Sequence, residues 1–207
     1  MLGLPLSTEV NRRIAKEKIY DKTNITPQLR DTIKDQIEAI FWRNKLADST
    51  FNVSAGETVS EMQVFEIQLR QREFDKRVLS VITEAIPYKI LFILSFGVDV
   101  QAWIEVSGIF YNTTWIPFDG FALKFDGLNL DAVYENLARQ IAEGRLGVDG
   151  DIDKAVEHDK QRQKLKREIA ALEKKVFREK QFKKQVELNG ELKQLKKVLE
   201  AFNDCKH

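Results

Sequence analysis

The side chains able to do chemistry in this chain are carboxylates, lysines and arginines. Only two histidines, His158 and His207, and one cysteine, Cys205, occur among its 207 residues. The first 150 residues therefore hold no imidazole for a Ser–His–Asp or Cys–His nucleophilic centre. Cys205-Lys-His207 falls short of the ligands a zinc site needs. Neither common phosphate-binding glycine loop is present. Glu61, Glu66 and Glu105 fall on or beside strand-like segments. With a nearby lysine, such carboxylates could hold a divalent ion for phosphodiester hydrolysis. No Asp/Glu-x-Lys triplet lies on an expected strand, and Glu66 is expected on a solvent face, where glutamate is ordinary. The sequence thus assigns no catalytic residue, no metal and no cofactor.

The cations are more suggestive. Arg12, Arg13 and Lys16, with Lys18, make a basic stretch near the N-terminus. Arg43 and Lys45 are expected at a helix C-terminus, which the helix dipole favours. Further on, Lys174, Lys175, Arg178, Lys180, Lys183 and Lys184 surround Phe177 and Phe182. Basic residues with interleaved aromatics suit single-stranded nucleic acid, and they equally suit a helix that docks its Phe side chains on a partner. The net charge of +1 conceals a split: residues 151–207 carry 16 Lys/Arg against 11 Asp/Glu, and residues 1–150 carry 17 against 21. A basic tail on an acidic body suits a polyanion or an acidic protein surface. The plainer reading is a Lys-rich solvated helix face. Trp42, Trp103 and Trp115 could stack on bases, but aromatics in a sheet are more often core.

The elements that must position these residues follow from periodicity. With 43% hydrophobic residues, 13 of them Phe, the chain can build one core plus an appendage. Val10, Ile14 and Ile19 suggest a helix over 8–20. Thr26 as N-cap and Pro27 at the first position open a second, carried by Leu29, Ile33, Ile37, Ile40 and Phe41 to about Leu46. Phe51 to Ser54 reads as a short strand. Phe65, Ile67 and Leu69 alternate with polar residues, the mark of a half-buried strand. Phe74 to Ala85 returns to helical spacing, ended by Pro87. Tyr88 to Phe96 is a nearly continuous apolar strand, expected at the centre of a sheet. Gly97-Val-Asp99 turns it into a hairpin with Val100 to Val106. Strands over Ile109–Ile116 and Ala122–Phe125, and a helix opened near Asn129, complete the body. The fold class is α/β of the α+β type: a mixed, largely antiparallel sheet with packed helices, its strand order left open.

Gly144, Gly147 and Gly150 mark a hinge, dividing an α/β domain over 1–147 from a basic helical tail of coiled-coil character over 148–207. Leu165, Ile169, Leu172 and Val176 form one heptad seam, and Leu188, Leu192, Leu195 and Leu199 another. The two are out of phase, because a strict repeat from Val176 reaches Glu179 and Lys183. Either one helix about 75 Å long shifts phase, or the chain folds back near Asn189-Gly190.

Five stretches carry a family resemblance: Ser7 to Lys16, Gln36 to Leu46, Glu61 to Ile67, Ala85-Ile-Pro-Tyr88 through Leu94, and Glu179 to Asn189. Together they resemble an uncharacterised prokaryotic family, number 4391 in the domain-of-unknown-function series. None is a catalytic motif. The resemblance implies a gene neighbourhood of helicases and adenine-specific DNA methyltransferases in restriction-like defence loci. Two positions depart from the pattern: family members often have Pro where this chain has Ala15, and a Lys near the end of the strand reading Trp103-Ile-Glu-Val106. The opening residues lack the basic start of a signal peptide, and no apolar run spans a membrane, so a cytoplasmic location is expected. The expected function is a non-catalytic accessory subunit. Its body would dock on a helicase or methyltransferase, and its tail would contact DNA, a second subunit or a second copy. A divergent metal-dependent nuclease and a stand-alone nucleic-acid-binding protein are the alternatives.

Overall fold

Two segments with helical spacing form strands in the computed structural model, which describes residues 2–204. The first is β1, Glu9–Ile14. Val10 and Ile14 stand four apart, a spacing that shares a face in a strand as well as in a helix, and Asn11 takes a left-handed conformation at a bulge in the pairing with the next strand. Asparagine tolerates that conformation better than most residues. A short helix α1, Glu17–Tyr20, follows and buries Ile19 and Tyr20.

Thr26 and Pro27 do open a helix: α2, Pro27–Gln36, with the Thr26 hydroxyl accepting from Leu29 N–H. It ends ten residues short of expectation, and β2, Ile37–Leu46, continues directly from it. The apolar residues at 37, 39, 40 and 41 fit a helix face or a strand. Pairing with neighbours on both edges satisfies the backbone and leaves Ile37 and Ile40 fully buried, so tertiary context overrides local spacing. Phe51 ends a helical turn, α3 (Asp48–Phe51), rather than starting a strand. The Thr50 hydroxyl there accepts from Ala47 N–H at 3.0 Å.

The remaining body elements are β3 (Met62–Leu69), α4 (Arg77–Ala85), β4 (Lys89–Phe96), β5 (Asp99–Val106), β6 (Ile109–Asn112), β7 (Ile116–Pro117) and α5 (Leu130–Ile141). Ile109–Ile116 is therefore two short strands. Ala122–Phe125 pairs with no strand; the Gln140 side chain instead takes Lys124 N–H at 2.9 Å and donates to its carbonyl at 2.8 Å.

The sheet is mixed, in the order β1-β2-β3-β4-β5-β6, with β7 also on β5. All pairings are antiparallel except β3 with β4, which α4 connects as a crossover. One face packs Phe65, Ile67, Phe92 and Leu94 against Ile33 of α2 and Val78, Leu79 and Ile82 of α4. The other receives α5, whose Leu130, Val133 and Leu137 are fully buried. β3 is thus covered on both faces, and its alternation does not mark a solvent side. No helix among the described residues is long and apolar enough to cross a membrane.

The loop before β3 is pinned to α5 by one carboxylate. Asp131 accepts from Glu57 N–H and Val59 N–H, each at 2.7 Å, and from the Thr58 hydroxyl at 2.8 Å. Burial pushes the Asp131 carboxyl up, but the Thr58 hydroxyl and the N–H groups of Val59, Thr58 and Glu57 outweigh it and hold the group below the usual carboxylate value. A depressed folded pKa gives stability that is present above the unfolded value, about 4, and lost as pH falls through the folded one. Asp131→Asn should therefore flatten the acid limb of stability, read as the urea midpoint against pH. At Gly56 an added Cβ would lie 2.2 Å from the Asp131 carboxyl carbon. Gly56→Ala should lower stability by about 1–3 kcal/mol in urea unfolding.

The chain divides into two compact units between Gly144 and Arg145. The second holds α6 (Ile152–Arg178) and α7 (Phe182–Asp204). They run antiparallel: His158 meets Phe202 at 4.7 Å between ring centres, and Lys196 pairs with Glu173 at 2.7 Å. The tail is a helical hairpin. It reverses at Glu179–Gln181, and Asn189-Gly190 lies inside α7. Glu179 ends α6 in extended conformation, and its carboxylate accepts from Gln181 N–H at 2.8 Å. The break falls where the heptad phase fails. Leu165, Ile169, Leu172 and Val176 of α6, and Leu188, Leu192, Leu195 and Leu199 of α7, are buried or half-buried stripes on otherwise mostly polar helices that pack together. Of the Cys205-Lys-His207 group, nothing is described.

Candidate nucleic-acid interface

The reversal at Glu179–Gln181 gathers six of the tail's 16 Lys and Arg residues at one end of the hairpin. Lys174, Lys175 and Arg178 end α6; Lys180 lies in the turn; Lys183 and Lys184 begin α7. All six are exposed. Between 174 and 184 the one acidic residue is Glu179, whose carboxylate already serves Gln181 N–H. The two aromatics of this segment do not enter the seam: Phe177 is 89% exposed and Phe182 79%. Two large apolar side chains held in solvent beside six cations form a surface that can contact phosphates and stack on flat rings. An extended basic helix would spread these groups along its length, whereas the hairpin brings them to its tip.

The body treats its cations differently. Arg12 and Arg13 are exposed on β1, an edge strand, where charge discourages pairing with a foreign strand. Lys16 is half-buried and donates to the Ile37 carbonyl at 2.5 Å. Burial and the neighbouring Arg70 push its ammonium below the usual lysine value. Arg43 and Lys45 sit in β2, not at a helix end. Lys45 pairs with Glu61 at 2.7 Å. The body's predicted cations therefore separate into the exposed Arg12, Arg13 and Lys18 and the structurally partnered Lys16, Arg43 and Lys45.

The carboxylates do not converge. Glu66 is buried, which corrects its expected solvent position. Both its oxygens are occupied: Oε2 accepts from Arg43 Nε and Nη2 at 2.7 Å, and Oε1 from Gln68 at 3.1 Å and Ser95 at 3.2 Å. Glu61 shares the opposite face with Gln63, whose amide donates to it. Glu105 is half-buried on β5, and its backbone carbonyl accepts from the Tyr134 hydroxyl. Among the described residues no group of three His, Cys, Asp or Glu side chains is placed to hold a metal ion.

Trp103 donates its indole N–H to Gln101 at 2.8 Å and packs, with Trp115, against the core. Trp42 stacks with Phe65 at 6.5 Å beside a cavity under α1 that no motif announces. Gln63 and Tyr88, which line it, had no signal because its walls come from four separate segments.

A family profile described as Domain of unknown function (DUF4391) matches residues 2–199. No curated protein and no solved structure matches the chain.

Proposed function

The chain belongs to the DUF4391 family, and from that membership and its surface we propose that it is a non-catalytic accessory subunit of a cytoplasmic, restriction-like DNA defence complex. In this reading the α/β body docks on a helicase or DNA methyltransferase subunit, and the hairpin tip contacts the nucleic acid that the partner acts on. The observation that carries the tip's role is the gathering of six exposed cations and two exposed phenylalanines around one turn. The partner class rests on the gene neighbourhood that the resemblance implies. The nuclease alternative gains no support from the geometry: Glu61 and Glu66 lie on opposite faces of the sheet, and each is paired with a cation.

The test is direct binding. A fluorescent single-stranded oligonucleotide titrated with the full chain should bind with log affinity falling linearly in log salt. If four to six tip cations contact phosphates, the slope should be about −3 to −4. Absent binding, or binding that salt leaves unchanged, would remove the nucleic-acid role.

A further inference from the structure

The hairpin tip is built from two helix ends, and each carries its own cations and its own aromatic ring. Lys174, Lys175 and Arg178 lie in the last turns of α6, with Phe177 its next-to-last residue. Lys180 lies in the connection, and Lys183 and Lys184 follow Phe182, the first residue of α7. Val186, one helical turn after Phe182 and 55% exposed, extends the apolar face on that side. The connection is held by specific bonds. Glu179 N–H donates to the Lys175 carbonyl at 3.0 Å and the Glu179 carboxylate accepts from Gln181 N–H. The Gln185 side chain of α7 reaches the Val176 carbonyl of α6 at 3.4 Å and ties the two helices together just behind the turn. Packed helices keep their axes roughly 8–10 Å apart. The two basic sets are therefore separate, and long Lys and Arg side chains extend their reach on both sides.

We propose that the tip recognises the junction where a DNA duplex opens into two single strands. This specificity rests on the nucleic-acid reading of the tip and names its substrate class. Phe177 and Phe182 stack on the bases left uncovered at the junction, and the cations of each helix end hold one of the two diverging backbones. A continuous duplex offers phosphates but keeps its bases stacked on one another, so both exposed rings stay in water. A lone single strand offers bases to the rings but only one backbone to the two sets of cations. A junction presents an uncovered base face and two backbones at one place, which matches two exposed rings and two basic sets held at one end of a hairpin.

The experiment titrates the full chain, by fluorescence anisotropy at one salt concentration, into three DNA probes of equal nucleotide number: a single strand, a blunt duplex and a forked duplex with two unpaired arms. The fork should bind about tenfold tighter than either of the others. Phe177→Ala with Phe182→Ala should remove most of that advantage and leave the blunt duplex unchanged. Two triple variants test the division of the cations: Lys174→Ala, Lys175→Ala, Arg178→Ala on α6, and Lys180→Ala, Lys183→Ala, Lys184→Ala at the start of α7. Each should weaken the fork severalfold. On a duplex carrying a single unpaired arm, one triple should weaken binding and the other should not. The substituted residues are all exposed, and an unchanged urea midpoint verifies that the variants fold. Equal affinity for fork and single strand would overturn the junction proposal and leave the nucleic-acid reading standing. A fork preference that survives loss of both phenylalanines would overturn it too. Absence of binding to all three probes would remove both.

Discussion

Reversing three charges at the hairpin tip, Lys180→Glu with Lys183→Glu and Lys184→Glu, should lower affinity for a single-stranded oligonucleotide by about 10²- to 10³-fold. Each change removes a phosphate contact and adds a repulsion. The effect should shrink as salt rises, because it is electrostatic. Phe177→Ala with Phe182→Ala should act differently. It should cost about 1–3 kcal/mol per stacked base and leave the salt slope as it was. Neither variant should shift the urea midpoint measurably, since the residues are exposed and make no seam contact. That separation is diagnostic. If the phenylalanines instead serve a protein partner, their loss leaves oligonucleotide affinity unchanged.

The second large effect lies in the body. Glu66→Ala should destabilise the chain by about 3 kcal/mol in urea unfolding, because it leaves the Arg43 guanidinium, Gln68 and Ser95 without their common acceptor in a covered part of the sheet. Arg43 is 30% exposed on its side chain, which keeps the loss from being larger. Glu66→Gln should cost less, about 1–2 kcal/mol, since the amide oxygen can still accept from Arg43. Replacing both partners, Arg43→Leu with Glu66→Leu, should recover much of the loss, as expected when the penalty comes from an unpaired buried charge. Were Glu66 a metal ligand in a nuclease, Glu66→Gln would abolish DNA cleavage while the chain remained folded.

Where local chemistry admits one solution, the fold was legible. Thr26-Pro27 starts a helix, Asn129 caps another, and Tyr88 to Phe96 lies at the heart of the sheet, each as its residue types require. The failures have a common cause. Ile37 to Phe41 satisfies the spacing of a helix and of a doubly covered strand, and only the partners in space decide between them. The alternation in β3 correctly signals a strand, yet it cannot reveal that α5 and neighbouring segments cover the second face, so Glu66 reads as solvent-facing when it is buried. Val10 and Ile14, four apart, fit the period of a strand as well as that of a helix. In the tail, the phase conflict at Glu179 and Lys183 was visible and marks the break, but glycine at 190 pointed to the wrong turn. A glycine inside a helix weakens it locally without obliging the chain to reverse. The tip was legible as a list of cations around Phe177 and Phe182; its concentration at one end was not, because that depends on the turn.

The most direct test of the accessory-subunit reading is recovery of the tagged full chain from its native host, with and without nuclease treatment, followed by identification of what stays bound. The account predicts that a helicase or DNA methyltransferase subunit is retained after nuclease, and is retained equally by the Lys180→Glu, Lys183→Glu, Lys184→Glu variant, since the body makes that contact. A chain recovered alone, or partners that leave once nucleic acid is digested, would contradict it and favour a stand-alone nucleic-acid-binding protein.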